Sequence, residues 1–438
     1  MRSLSLSLSG VLIFFLCFMA IPCVTKAEEA KEYIAIRKQA AGRIALVLDK
    51  TAARGGKESE WARSLDAIMF GGLDFTGLFN LQSAPLNIRD AKDTGGAMIN
   101  FPVLTSVGVE IYAGGSVSKK SGLVQLEMSV YDAFGSKLLL KKLYTGKETQ
   151  LRSIGHAFCA DLIELLTGRR SVFGTGIVFV SNRSGFKEIY QCDFDGENIT
   201  QLTSSRSISL TPSFSPDGQF LAYTDYTSGR PDLYIRRTLD GKTVAVRKSG
   251  VSIDPGWRGG TNECATTLSF EGDQEIYLIR SDGMISRRVT FSKGIDVSPS
   301  FSPDGSKMAF VSQRNGMPQI FVQDMSSGAV RRLTFSGNYN TQPSWSPKGD
   351  KIAYSTWQKN GEINIFTINA DGTDLRQLTS GVKDNEAPSW SPDGSMIVFT
   401  SNRQGRKKLF VMNADGTNQR RLLQMEGDQQ QPSWSLYR

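Results

Sequence analysis

One histidine, His156, and five cysteines are the residues from which this 438-residue chain would have to build a nucleophilic or metal centre. A Ser-His-Asp triad needs an imidazole as its base, and a histidine-bearing metal site needs one as a ligand. His156 sits in "LRSIGHAFCADLIELLTG", where Leu151, Ile154, Phe158, Leu162 and Leu165 share one face of a predicted helix and Gly168 stops it. We read it as a packing or surface histidine. Cys159, Cys192 and Cys264 are far apart and form no C-x-x-C pair. That spacing argues against a disulfide scaffold or a zinc site, and buried thiols are expected. Asp217, Asp304 and Asp393 recur inside "PDG". A calcium ring would need such a repeat, but turn chemistry also produces it, and we assign these acids to turns. The chain has no G-x-S-x-G elbow, no P-loop and no G-x-G-x-x-G after a strand. The residues therefore predict no catalytic centre, no cofactor and no metal.

The turns belong to a repeat. "PSFSPDG" at 212 and 299, "PSWSPKG" at 343, "PSWSPDG" at 388 and a clipped "PSWSLYR" at 432 share a beat with "DPGWRGGT" (Asp254 to Thr261). Pro212, Pro255, Pro299, Pro343, Pro388 and Pro432 are spaced 43, 44, 44, 45 and 44 apart. Asp-Gly pairs keep the same period, at Asp195, Asp240, Asp282, Asp371 and Asp415. Each period reads as four short strands, as in "QPSWS", "KIAYSTW", "EINIFTINA" and "DLRQLT". Proline presets a turn dihedral and Gly tolerates its last position, while Asp-Gly between apolar runs marks a hairpin. The middle strands are almost continuously apolar, which predicts sheets covered on both faces. A period near 44 with four strands is that of a β-propeller blade. The first unit (Gly176 to Thr203) lacks the opening phrase and the last (Gln431 to Ser435) has only that phrase. Joined, they make a sixth blade that closes the ring.

Residues 28–172 lack the period and predict an α/β domain ahead of a propeller at 173–438. "RIALVL", "GVEIYAGGSV" and "LVQLEMSVYDA" read as strands, and "EWARSLDAIMFGGLDFTG" as a helix ending near Gly71-Gly72. Before them, Arg2, the eleven-residue apolar run Val11 to Ile21 and a small residue at Ala27 predict a cleavable signal over 1–27. A membrane span needs roughly 20 apolar residues. The formal charge of +8 includes Arg2 and Lys26 of that segment, and no long Lys/Arg run suggests nucleic acid. The fold class is thus mixed: an N-terminal α/β domain, then a six-bladed propeller closed by strands from both of its ends.

Two regions stand out as partner-binding. Four strands run up and down, so the Ser-Pro-Asp-Gly and Asp-Gly turns share one face of the ring. The segments just before each opening phrase then converge on the other mouth of the channel. They are Val297 and Ser298; Asn340, Thr341 and Gln342; Asn385, Glu386 and Ala387; and Gln430 and Gln431. They vary from blade to blade and offer amides and hydroxyls. Arg183, Arg314, Arg403 and Arg406, further out, would steer an acidic partner. The second region is "EEAKEYIAI" (Glu28 to Ile36), in which Tyr33, Ile34, Ala35 and Ile36 predict either a tail that pairs with a partner as an added strand or an edge strand of the α/β domain.

The segment from Arg152 to Gly185, with its H-x-x-x-x-D-x-I-E-x-L-T-G core, resembles the passage from last helix to first blade in the TolB family. "LDFTGLF" (Leu73 to Phe79) is similar to that family's D-L-x-x-S-G-x-F segment. The resemblance implies a periplasmic, monomeric, non-catalytic scaffold of the Tol-Pal system. Such a scaffold would bind the lipoprotein Pal through the propeller and TolA through the N-terminus, supporting outer-membrane integrity and constriction at division. The alternatives are a propeller associated with a hydrolase, or one that binds peptidoglycan or another glycan.

Overall fold

The computed structural model describes residues 42–85, 88, 99–381 and 383–435. The proposed signal segment and Tyr33, Ile34, Ala35 and Ile36 lie outside the described residues. The chain forms an α/β sheet domain followed by a ring of six four-stranded sheets.

In the α/β domain, β1 (Ile44–Leu48) lies parallel between β2 (Phe79–Gln82) and β3 (Ile111–Lys120). The antiparallel strands β4 (Leu123–Asp132) and β5 (Lys137–Gly146) extend the sheet beyond β3. Helices α1 (Gly56–Thr76) and α3 (Leu151–Thr167) cover one face, and the short α2 (Phe101–Ser106) packs on the other. Trp61, Leu65, Met69 and Leu73 repeat every four residues, so α1 buries one continuous stripe. Contrary to the sequence expectation, α1 does not stop at Gly71-Gly72. It runs to Thr76, and Gly77 caps it in the left-handed region at φ 65°. Gly72 serves close approach instead: a Cβ there would lie 2.8 Å from Phe173 Cε1. Gly168 ends α3 at φ 69°, where the pattern placed it.

The blades share one plan. In the third, Asp296–Phe301, Lys307–Ser312, Gln319–Asp324 and Val330–Arg332 form the sheet in chain order. The second and third strands are buried along nearly their whole length. Phe310 is fully buried, and a side chain of that size contributes ~1.5–3 kcal/mol by leaving water. We number blades by their opening strands: Ser209–Phe214, Ser252–Trp257, Asp296–Phe301, Tyr339–Trp345 and Asn385–Trp390 open the first to the fifth. The closing blade pairs Gln429–Trp434 antiparallel with Gly176–Ser181, joining the two ends of the ring.

The repeated phrase also binds blade to blade. The Trp345 and Trp434 backbone amides donate to Ser300 Oγ (2.9 Å) and Ser389 Oγ (3.0 Å) of the preceding blades. The Trp257 and Trp390 indoles donate to the carbonyls of Ser213 (3.0 Å) and Ser344 (3.1 Å). Pro-Ser-Trp therefore recurs because each copy fastens its neighbour.

The acids of the Ser-Pro-Asp-Gly phrase serve the turn. In one copy Ser302 Oγ and the Ser306 amide donate to Asp304 Oδ1 at 2.6 and 3.1 Å, and Gly305 sits at φ 67°. These bonds, the Ser302 hydroxyl first, hold the Asp304 carboxyl down at about 2.

The α/β domain docks on the face that carries these turns. Arg152 pairs with Asp193 (3.6 Å) and with Asp195 at an Asp-Gly turn of the closing blade. The Arg420 guanidinium of the fifth blade donates to the Phe75 carbonyl and lies 4.3 Å over its ring. His156 packs 5.1 Å from Phe173 and 5.3 Å from Phe194 in the same seam. Burial, reinforced by Arg152, lowers its pKa to about 4. Cys159, Cys192 and Cys264 are buried thiols.

Candidate functional site

Six opening strands converge on the axis, and each is broken by a bulge at its X-Pro pair. Proline has no amide to donate, so a sheet accepts it where the ladder is already interrupted. The residue before each proline adopts the left-handed region: Thr211, Asp254, Ser298, Gln342, Ala387 and Gln431 have φ between 47° and 56°. Non-glycine residues hold such angles only where the surroundings enforce them. Here the enforcement comes from neighbouring blades. Gln431 Oε1 accepts from the Thr211 amide (3.2 Å), Gln342 Oε1 from the Ala387 amide (2.9 Å), and Asp254 Oδ2 from Ser298 Oγ (2.8 Å).

These six residues, with the prolines and serines that follow them, line an axial cavity of about 210 Å³. Asp254 is the one charged side chain in its wall among the described residues. Burial pushes its carboxyl up, and the bond from Ser298 opposes that shift. The wall is otherwise hydroxyls, amides and proline rings, suited to hydrogen-bonding and packing rather than to bond-breaking. Among the described residues no group of three or more His, Cys, Asp or Glu is placed to hold a metal ion.

The predicted residues separate into three sets. Ser298, Gln342, Ala387 and Gln431 line the channel. Val297, Thr341, Glu386 and Gln430 stand beside them, half-buried, opposite Val311, Ser355, Thr400 and Val180 of the second strands. Asn340 and Asn385 are 0% exposed and face inward, which corrects their reading as surface groups. Asn340 Nδ2 donates to Gln319 Oε1 and to the Ser336 carbonyl, both at 2.8 Å. Asn385 Nδ2 donates to Asn364 Oδ1 (3.2 Å) and its Oδ1 accepts from Arg403 (2.8 Å).

Two of the four steering arginines also turn inward. Arg314 pairs with buried Asp296 at 2.8 Å, and Arg403 lies 4.6 Å over Phe410. Arg183 and Arg406 remain exposed. Sequence reasoning missed Thr211 and Asp254, which complete the ring. Their signal was position alone, the residue before Pro212 and Pro255, and the worn phrase of the second copy obscured it.

The faces at the two channel mouths differ in charge. The connections from second to third strand and from blade to blade hold thirteen Lys and Arg against six Asp and Glu. The turns on the opposite face hold three against eleven. The basic connection face is the one not covered by the α/β domain.

The family described as "TolB beta propeller domain" matches residues 163–438. A protein of Chlorobium luteolum named "Protein TolB homolog" is 63% identical over 313 residues, covering 72% of this chain and 71% of the relative. The "Tol-Pal system protein TolB" of Desulfosudis oleivorans is 43% identical over 224 residues, covering 51% of each chain. The crystal structure of TolB from Acinetobacter baumannii superposes with a TM-score of 0.78 at 24% identity. That match spans 90% of this chain and 97% of the other and supports the shared architecture. With the family matched over more than half its length and a relative this similar, the chain belongs to the TolB family.

Proposed function

We propose that the protein is a non-catalytic periplasmic scaffold of the Tol-Pal system, secreted with the signal of residues 1–27. It binds the lipoprotein Pal through the connection face of the propeller and TolA through the tail containing Tyr33, Ile34, Ala35 and Ile36. In this role it supports outer-membrane integrity and constriction during division. Membership of the TolB family supports the system. The observation that carries the docking face is the division of labour between the two sides of the ring. The α/β domain occupies the acidic turn face, and the basic face is left with the channel mouth and its unlike side chains.

Affinity capture on the mature chain from an envelope extract tests the reading, with soluble Pal and TolA domains as purified probes. Pal and TolA are expected in the eluate. Deleting Glu28 to Ile36 is expected to abolish TolA binding while sparing folding and Pal binding. Retention of glycan without Pal would replace the reading with a saccharide-binding propeller.

A further inference from the structure

The fourth blade is one rung longer than the others. Its strands Tyr339–Trp345, Lys351–Trp357 and Ile363–Asn369 have seven residues each. The corresponding strands of neighbouring blades have six. The added rung, Tyr339 opposite Trp357 and Trp357 opposite Ile363, lies at the connection face. Trp357 is 51% exposed and Tyr339 37%. Their rings meet edge to face, 6.3 Å apart. Phe335, 77% exposed, stands in the connection that enters this blade, with the Arg332 guanidinium 5.0 Å from its ring.

Such exposure is costly in water unless the rings are to be covered, and these rings are held ready. Asn340 Nδ2 donates to the Ser336 carbonyl (2.8 Å), and Gln319 Nε2 to that of Gly337 (3.3 Å). Gly337 itself sits at φ 84°, where a Cβ would lie 2.6 Å from Thr356 Cγ2. The two inward-facing groups thus pin the connection from beneath. An anchor fixed before binding loses little entropy on docking.

Charge is arranged around this sector rather than within it. The connections 333–338 and 358–362 hold one Lys and one Glu, leaving twelve basic and five acidic residues on the rest of the face. Exposed Arg183, Lys187, Arg206, Lys383 and Arg406 form the basic part beyond it. Interface energy concentrates in buried Trp and Tyr anchors, while rim charges act mainly on association rate.

We propose that Phe335, Tyr339 and Trp357 are the anchor of the protein that docks on the connection face. That partner is an acidic protein with an apolar recess for the rings, steered in by the basic rim. The inference rests on the docking reading above, and the soluble domain of Pal is the probe. Trp357→Ala is expected to weaken its binding at least thirtyfold, through faster dissociation and equally at low and high salt, with Tm unchanged. Phe335→Ser, on a connection rather than a strand, is expected to act in the same direction. Arg183→Glu with Arg406→Glu is expected to slow association at low salt and leave dissociation alone.

If wild-type chain binds Pal and both anchor variants bind equally well, the anchor is overturned while the docking reading stands. If wild-type chain does not bind Pal, both fall. Peptidoglycan glycan strands that bind wild-type chain and release from Trp357→Ala, with Pal affinity unmoved, would reassign the ridge to a saccharide and overturn the proposal.

Discussion

The two faces of the ring are made from the same strands and obey different rules. On the turn face, Asp recurs because its carboxylate accepts amides and hydroxyls within a tight turn, as at Asp304 and Asp393. Acidity there is a by-product of folding. On the connection face a tight turn also recurs, closed by Gly185, Gly229, Gly272, Gly316, Gly361 and Gly405 in the left-handed region, but the side chains around it diverge from blade to blade. The α/β domain meets the first face through its Arg152, which pairs with Asp195, and through its Phe75 carbonyl, which accepts from Arg420 of the fifth blade. The lesson is that repetition marks what the fold requires, and departure from it marks where a partner can act.

The largest effect expected tests that division at its structural end. Gly305 and Gly218 occupy equivalent turns at φ 67° and 68°. Nothing lies within 4 Å of a Cβ added at Gly218, but at Gly305 it would lie 2.4 Å from the Gly259 carbonyl of the neighbouring blade. Gly218→Ala should cost only the left-handed strain, about 1–2 kcal/mol. Gly305→Val adds overpacking of about 1–3 kcal/mol. The expected outcome is a lower Tm for Gly305→Val than for Gly218→Ala, with Pal affinity intact in both at a permissive temperature. Lost affinity at unchanged Tm would place docking on the turn face and invert the comparison.

The next test concerns the seam between domain and turn face. His156 is the chain's only histidine, so the titration of stability near neutrality can be traced to it. Its folded pKa of about 4 lies below the ordinary histidine value, because burial and Arg152 oppose the charged ring. The unfolded chain therefore binds the proton more readily. The contribution is complete above pH ~6.5 and is lost as pH falls towards 4, a total of about 3 kcal/mol. Thermal unfolding from pH 7.5 to 5 should show a falling Tm, and His156→Phe should flatten the slope. An unchanged slope in that variant would mean that the seam does not bury the ring in solution.

How much of this was legible in the sequence follows from the physics of each signal. The 44-residue beat and the split sixth blade were visible because hairpin turns and apolar strands are local. The roles of Asn340 and Gln342 were not separated. Two residues apart in a regular strand, they would share a face. The bulge between Thr341 and Ser344 breaks that alternation, sending Asn340 into the blade and Gln342 to the channel. Gly72 misled in the same way, because a glycine needed for close packing is written like one that stops a helix. Arg314 and Arg403 looked like rim charges until buried partners on the adjacent opening strands, Asp296 and Asn385, claimed them.

The smallest effect expected addresses the channel mouth itself. Ala387 holds φ 53° at the position where Gln342 and Gln431 hold 54° and 51°. A larger side chain is therefore compatible with that backbone. Its surroundings are the axial cavity rather than a packed core, so Ala387→Phe fills space that a partner would otherwise enter. Thr341, half-buried beside Gln342 on the preceding blade, stands at the position that Glu386 holds next to Ala387. Changing Thr341 and Ala387 together to bulky residues should weaken Pal binding about tenfold, or ~1.4 kcal/mol, without moving Tm. The Asn340→Ala control should behave differently. It removes the groups that hold the Ser336 carbonyl, so it lowers Tm as well as affinity. If the double substitution leaves affinity unchanged while Trp357→Ala reduces it, docking is centred on the fourth blade and the channel mouth is only its border.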